Sequence, residues 1–362
     1  MAHGGIRAAV AGYLEGGHAR SSRVGEALAS AWGAIEASRV VRPLVLPPRA
    51  TVIGVGGTTL GGSYKTPLAV KLADALAARG ERVAFVGHGY RARVRFAHRV
   101  MPSDEVNEVG DDALFAARRL FPLGVAVLVG PSRQAALDLA ARRASCLVVD
   151  GLLQARPQRL SCSILALDGR RPWGNGQCPP LGDLRAPPEA LLAAADGVAA
   201  VHDTEQETPH GPNQLRRTAT LGSPRRPLEV PDGGRGSPPH WDVKSRIAGA
   251  VDASGRLFSL GELSSSRVGV LLTVARPERV LDALACRGLF AVRFVRYGDH
   301  ERPKPGELDR LLRGPGHRVD VWITTEKCAT NLPSTLARAP VLALRHELEL
   351  PPSLLAAIPQ AR

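Results

Sequence analysis

A chain of 362 residues with 44% hydrophobic and 22% charged residues can bury two cores, which excludes an extended or low-complexity protein. Its formal charge of +13 suits an anionic partner: nucleic acid, anionic lipid or a phosphorylated small molecule. Aromatic residues are only 4% and do not interleave with basic runs, so no single-strand stacking platform and no nucleic-acid partner are expected. The five cysteines (Cys146, Cys162, Cys178, Cys286 and Cys328) are odd in number and never spaced C-x-x-C, against a disulfide framework or zinc site and for a reducing compartment.

Residues 1–20 lack the apolar core of a secretory signal, and no run of apolar residues reaches membrane-spanning length. Over 21–42, Val24, Leu28, Ala31, Trp32 and Ile35 share one helical face, flanked by Arg20, Arg23, Arg39 and Arg42. Such a helix either lies on an anionic membrane surface or packs on the domain that follows.

Next comes an apolar run, Thr51-Val52-Ile53-Gly54-Val55, then a glycine-rich turn ending in Lys65-Thr66-Pro67, then a helical pattern at Leu68, Val70, Leu72 and Leu76. Strand, glycine-rich turn, Lys-Thr and helix make up a phosphate-binding loop. Backbone N–H groups of Thr59, Leu60, Gly61, Gly62, Ser63 and Tyr64 would wrap a nucleotide's phosphates at the positive end of the helix dipole. Lys65 would reach the β- and γ-phosphates and the Thr66 hydroxyl would hold Mg²⁺. The strict G-x-x-x-x-G-K-[ST] pattern fails twice, with Thr59 and Tyr64 at its glycine positions, so a tight turn without ligand is the alternative.

Strands are expected at 51–55, 83–87, 125–129, 146–150, 163–168 and 197–201, and helices at 66–79, 110–120 and 132–143. That alternation predicts an α/β fold with a mainly parallel sheet flanked by helices, its ligands at the carboxyl ends of the strands after Val55, Gly87 and Val149. Residues 202–245 are rich in Pro, Gly, Arg and Thr and read as a linker. A second rhythm follows, with strands at 268–273, 290–295 and 319–324 and helices at 277–286 and 307–312. The expected organisation is an N-terminal amphipathic segment (1–49), a phosphate-loop domain (50–201), the linker (202–245) and a smaller α/β domain (246–362).

Four further segments carry chemistry-bearing residues. Gly110-Asp111-Asp112 opens a predicted helix, and Asp150-Gly151-Leu152-Leu153-Gln154 follows a strand. A Gly/Pro-rich loop runs from Gly174-Asn175-Gly176 to Arg185, and Tyr297-Gly298-Asp299-His300 ends a strand of the later domain. Each alone has a plain structural reading: a helix-end charge, a turn cap, a loop, a surface histidine. Together they supply a strand-end carboxylate, an acidic pair and a histidine, the parts that phosphoryl transfer to a hydroxyl needs.

In this order and spacing the segments resemble the tetraacyldisaccharide 4′-kinases, the lipid A 4′-kinases of Gram-negative bacteria, from about residue 50 to 350. The family loop T-V-G-G-T-G-K-T-P corresponds to Thr59–Pro67, and its R-G-Y to His88-Gly89-Tyr90. Its V-G-D-E corresponds to Val109-Gly110-Asp111-Asp112, and its D-D-G-[FL]-Q-H to Asp150–Ala155. Its G-N-G-x-x-x-P-x-G-x-L-R-E-P corresponds to Gly174–Pro187, its A-x-P to Ala275-Arg276-Pro277, its D-H to Asp299-His300 and its T-E-K-D to Thr325-Glu326-Lys327-Cys328.

The resemblance implies ATP and Mg²⁺ in the first domain and, as acceptor, the 4′-hydroxyl of an acylated glucosamine disaccharide 1-phosphate. It implies Asp111 as base with His300 as its partner, Asp112 and Asp150 at the metal with Thr66, and Gln154, Asn175, Gly176 and Arg185 on the substrate side. It also implies a peripheral enzyme on the cytoplasmic face of the inner membrane, expected as a monomer. The chain departs from the family pattern at Tyr64, His88, Gly151, Ala155 and Cys328. A catalytically silent homologue that binds lipid or nucleotide is therefore one alternative, and a membrane-associated ATPase or GTPase switch another.

Overall fold

The computed structural model describes residues 23–204, 238–298, 300–303, 306, 308, 312 and 318–360. Helix α1 (Arg23–Arg39) leads into β1 (Val41–Pro43), which pairs in parallel with β7 (Gln154–Arg156). The main sheet has 14 strands among the described residues. Its first half contains β2 (Thr51–Gly57), β3 (Val83–Val86), β5 (Ala126–Val129), β6 (Cys146–Asp150), β8 (Cys162–Asp168) and β9 (Gly197–Asp203), all parallel, with β4 (His98–Val100) antiparallel at the edge.

The parallel strands among them are short, largely apolar and mostly buried on both faces, as parallel strands under helices must be. Along β2, Ile53 and Val55 point to a core shared with α2 (Lys65–Ala78) and α4 (Asp111–Leu120), which contribute Leu68, Leu72, Leu114 and Leu120. Val52 points to the opposite core, with Leu137 and Ala140 of α5 (Arg133–Ala141). The short helix α3 (Val106–Val109) precedes α4, and α6 (Pro188–Ala194) precedes β9.

The second half comprises β10 (His240–Val251), β11 (Leu257–Phe258), β12 (Val268–Leu272), α7 (Pro277–Ala285), β13 (Arg293–Arg296), β14 (Val321–Thr325), β15 (Thr335–Leu336), β16 (Ala339–Glu349) and α8 (Pro352–Ala356). Its own cores alternate along β12: Val270 and Leu272 on one face, Leu271 with Trp322 on the other. The halves are joined within one sheet, β10 running parallel to β9 and antiparallel to β16. The β10–β16 ribbon carries a register shift between Ile247 and Gly249, the kind of irregularity that bends and twists a pair. The loops after β12, β13 and β14 thereby meet those after β2, β6 and β8 across a cleft.

Most expected elements of the first half lie within two residues of their observed bounds. The expected linker (202–245) is shorter than its composition suggested: β9 runs to Asp203 and β10 starts at His240, while 205–237 lie outside the described residues. The strand expected at 290–295 is observed at Arg293–Arg296, and most of the helix expected at 307–312 also lies outside them. On α1, the side of the helix bearing Val24, Leu28, Trp32 and Ile35 is open, with exposures of 70%, 54%, 44% and 51%. Packing among the described residues does not account for that stripe. No described helix is long and apolar enough to cross a membrane.

Candidate active site

The phosphate loop begins where β2 ends. A Cβ on Gly57 would sit 2.1 Å from Ser63 Oγ, so only glycine lets the turn close on itself here. The loop is braced from behind by the Gly/Pro-rich segment. Thr59 forms a β-bridge with Leu184, Leu60 N–H donates to Asp183 O at 2.9 Å and Arg185 N–H to Thr58 O at 2.9 Å. Asp183 in turn accepts from Asn175 N–H at 2.8 Å.

Tyr64 stands at the helix N-cap in the left-handed conformation, with φ of 60°. Glycine is at ease there, which explains the family's preference; tyrosine incurs roughly 1 kcal/mol of backbone strain. Its side chain reaches out to β9, where the hydroxyl donates to Asp203 Oδ1 at 2.8 Å. The Arg279 guanidinium lies over the ring, 4.5 Å from its centre. Burial drives the Tyr64 hydroxyl well above its ordinary pKa, so it stays a donor. The aromatic ring is thus part of the contact between the two halves.

Lys65 and Thr66 open α2. Thr66 Oγ1 donates to Asp150 Oδ2 at 2.8 Å, and Lys65 Nζ lies 3.1 Å from Thr66 Oγ1. The same ammonium is 3.7 Å from both Asp150 and Asp112. Among the described residues, the buried Asp150 Oδ1 has no hydrogen-bond partner. With the Thr66 hydroxyl on the same carboxylate and Asp112 sharing the Lys65 ammonium, these are hard oxygen donors of the kind Mg²⁺ takes, so the residues present fit the ion.

Across the cleft, His300 Nδ1 lies 2.7 Å and 2.9 Å from the two oxygens of Asp111. Tyr90 packs edge-on against the imidazole at 5.1 Å. Lys327, just after β14, places Nζ 3.0 Å from Asp112 Oδ1 and 3.1 Å from His300 Nε2. Burial alone would raise the Asp111 carboxyl; Lys327 and the His300 hydrogen bond outweigh it and hold it below the usual carboxylate value. Asp112 is likewise held low against its burial by Lys327 and Lys65. Ligand atoms of Asp111, Asp112 and His300 lie within 4.8 Å of one another, close enough for a cation, and the Lys327 ammonium lies against two of them, Asp112 and His300.

Further pairs close the cleft. Arg276 donates to Asp168 at 2.8 Å and to Asp183 at 3.1 Å, Arg279 also pairs with Asp168, and Arg119 meets Glu326 at 3.2 Å. Between the halves lies a cavity of ≈500 Å³ whose walls include Lys65, Thr66, Asp112, Arg279, His300 and Lys327. Asp111 stands behind His300 and is almost fully buried, so His300 is the member of the pair that faces the cavity. A second recess of ≈370 Å³ opens at the ends of β3 and β5, lined by Arg42, His88 and Arg133 among others. Burial, then the charges of Arg133 and Lys65, push His88 down to about 4.

The structure therefore brings Lys65, Thr66, Asp111, Asp112, Asp150 and His300 together. It does not bring Gln154 to them: its side-chain oxygen accepts from Ala155 and Leu160 N–H groups, and its nitrogen donates to Ser163 and Ala194. Those bonds hold the turn after β7. Asn175, Gly176 and Arg185 belong to the brace behind the loop and lie outside the wall of the larger cavity. Sequence reading gave no role to Lys327, Arg276, Arg279 or Asp203. Lys327 and Arg276 did sit in matched motifs; Lys327 and Arg276 follow strands, Asp203 ends one, and Arg279 lies in the first turn of α7.

A sequence profile of the tetraacyldisaccharide-1-P 4′-kinase family matches residues 30–361. A tetraacyldisaccharide 4′-kinase from Anaeromyxobacter dehalogenans (strain 2CP-C) is 35% identical over 301 residues, 80% of this chain and 74% of that protein. One from Methylobacterium sp. (strain 4-46) is 31% identical, covering 88% and 86%. In shape the chain is similar to a crystal structure of LpxK from Aquifex aeolicus in complex with ATP, with a TM-score of 0.62 at 20% identity over 93% of this chain and 96% of that one. With a profile covering nearly the whole described chain and relatives above 30% identity along most of their length, the chain belongs to the tetraacyldisaccharide-1-P 4′-kinase family.

Proposed function

We propose that this chain transfers the γ-phosphoryl group of ATP to the 4′-hydroxyl of an acylated glucosamine disaccharide 1-phosphate, a step of lipid A synthesis. The observation that carries the reading is the meeting of His300 with Asp111 at 2.7 Å, opposite a phosphate loop whose Lys65 and Thr66 remain in contact with Asp150 at the end of β6. The phosphate loop grips the nucleotide, and Thr66, Asp150 and Asp112 would hold Mg²⁺. That ion would neutralise phosphate charge.

Asp111 accepts from His300 Nδ1 and orients the imidazole, leaving Nε2 as the basic nitrogen toward the cavity. The expectation that Asp111 itself takes the proton is refined accordingly: the carboxylate supports and the imidazole accepts. The first half holds the nucleotide and the second brings His300 and Lys327 to it. The 1-phosphate of the acceptor suits the recess of Arg42 and Arg133, which shares Asp150 with the reaction centre through the Arg133 bond to Asp150 O at 3.1 Å. The open apolar stripe of α1, with Arg23 and Arg39 at its ends, suits peripheral attachment to an anionic membrane surface.

The test is transfer of labelled phosphate from ATP to acylated disaccharide 1-phosphate in the presence of Mg²⁺. No product above background from folded protein sinks the reading. A silent homologue is favoured by one observation, Gly151 in place of a second strand-end carboxylate. That alternative predicts lipid or nucleotide binding without transfer in the same assay.

A further inference from the structure

The ammonium of Lys327 occupies the centre of the site. It lies 3.0 Å from Asp112 Oδ1 and 3.1 Å from His300 Nε2 and lines the cavity from the second half of the sheet. Lys65, from the phosphate loop, approaches Asp112 Oδ2 at 3.7 Å. Two lysines from opposite halves thus flank one carboxylate.

The proton positions are assigned from the hydrogen-bond partners of the ring. An ionised carboxylate only accepts, so the imidazole N–H sits on Nδ1, facing Asp111. An ammonium only donates, so the lone pair sits on Nε2, facing Lys327. His300 is then the neutral tautomer whose basic nitrogen points into the cavity, with Lys327 donating to it. In this arrangement the base is capped.

We propose that Lys327 is a catalytic lysine that changes partner when nucleotide enters. The γ-phosphoryl oxygens carry formal charge and an imidazole lone pair does not, so they draw the ammonium away from Nε2. The base is uncapped only when a phosphoryl donor is present. This rests on the kinase reading above. In the step itself the acceptor oxygen forms a bond to Pγ with its own electron pair, and its proton passes to His300 Nε2. The bond from Pγ to the β–γ bridging oxygen breaks, and that pair leaves with ADP. Lys327 keeps its protons throughout and offsets charge on the transferring group from the side opposite Lys65.

The experiment compares wild-type protein with Lys327→Met and Lys327→Arg, by steady-state transfer and by NMR of protein labelled with ¹⁵N-histidine, with His300→Asn identifying the resonance. Lys327→Met lowers kcat about 100- to 1000-fold with acceptor KM within about threefold, and Lys327→Arg, which keeps the charge, recovers at least about tenfold of the loss. In wild type, adding Mg²⁺ and the β,γ-imido analogue of ATP moves the His300 Nε2 resonance toward its position in nucleotide-free Lys327→Met. The proposal is overturned if wild type transfers phosphate while Lys327→Met keeps kcat within about threefold. It is also overturned if the Nε2 resonance is the same in wild type and Lys327→Met. Absence of transfer in wild type overturns the kinase reading, and with it the catalytic role, while the resonance comparison separately tests the capping contact.

Discussion

The phosphate loop and the carboxylate–imidazole cluster are built on opposite plans. The loop is nearly contiguous, 57–66 braced by 183–185, and its working groups are largely backbone. The cluster draws Asp111 and Asp112 from one helix start, His300 from the loop after β13 and Lys327 from the end of β14, and its working groups are all side chains. The departures from the family pattern divide accordingly. The loop tolerates Tyr64 in place of the family's glycine because a backbone site asks only that the residue reach the required φ, and Tyr64 reaches 60°. The cluster keeps Asp111, His300 and Lys327, because no neighbour can supply a missing imidazole or ammonium.

The largest effect is therefore expected where side chains do the chemistry. His300→Ala and Asp111→Ala should each lower kcat by about 10²- to 10⁴-fold, the usual worth of a positioned base, with little change in ATP binding. Because the two act as a unit, the double variant should cost hardly more than the worse single one. Labelled-phosphate transfer and calorimetric titration with Mg·ATP separate the two quantities. Full additivity of the two losses would break the picture of one coupled pair.

Next come the side chains that the loop does use. Lys65→Met and Asp150→Asn should reduce kcat by about 100- to 1000-fold, since each removes charge or a ligand at the transferring group. For Asp150→Asn the loss should be partly reversed by raising Mg²⁺, whereas Lys65→Met should not respond. An equal response of both variants to the ion would mean that Asp150 acts as a plain partner of Thr66 and not at the metal.

Much of this was legible in the sequence, for physical reasons that differ by region. The first half was readable because its strands are fully buried apolar runs broken by helices with strong periodicity. The linker was overextended because composition outweighed pattern: Trp241, Val243, Ser245 and Ile247 alternate buried with exposed neighbours, a strand signal at the edge of a Pro/Gly-rich stretch. Gln154 belonged to a matched motif, yet its hydrogen bonds hold the polypeptide turn, a distinction that spacing cannot make. Lys327 went unassigned because its neighbours Asp112 and His300 are 215 and 27 residues away in sequence. Only the folded sheet brings the three together.

A smaller effect is expected at Tyr64, where the two plans touch. Its ring carries Arg279, and Arg279 also lies 3.5 Å from Gly62 O at the loop. Tyr64→Gly removes the backbone strain but also the ring and the Asp203 bond, so its effect on Mg·ATP affinity should stay within about tenfold. In a double-mutant cycle with Arg279→Ala, thermal melts should give a coupling of about 0.5–2 kcal/mol. Tyr64→Phe, which keeps the ring, should keep that coupling. Additive losses would show that the stacked guanidinium is incidental and that the loop tolerates Tyr64 through backbone reach alone.

The smallest effect should come from Cys328, where the family motif has aspartate. Its Sγ accepts from Thr273 N–H at 3.3 Å, Thr273 Oγ1 at 3.2 Å and Thr325 Oγ1 at 3.0 Å. Three donors converging on one weak acceptor mark a place suited to a carboxylate. The carbonyl of Thr273 in turn accepts from His300 N–H at 3.2 Å, so this turn supports the backbone of His300. Cys328→Ala leaves the buried Thr273 N–H without its acceptor and should lower stability by about 1 kcal/mol, read from chemical unfolding. It should also lower kcat by a few-fold through misplacement of His300, roughly the scale of a small positioning error. Cys328→Asp should restore or exceed wild-type stability, its carboxylate accepting all three hydrogen bonds. If Cys328→Asp instead destabilises the protein as much as alanine does, the three donors are not organised around an acceptor. The cluster would then rest on side-chain contacts alone, without help from the turn that carries His300.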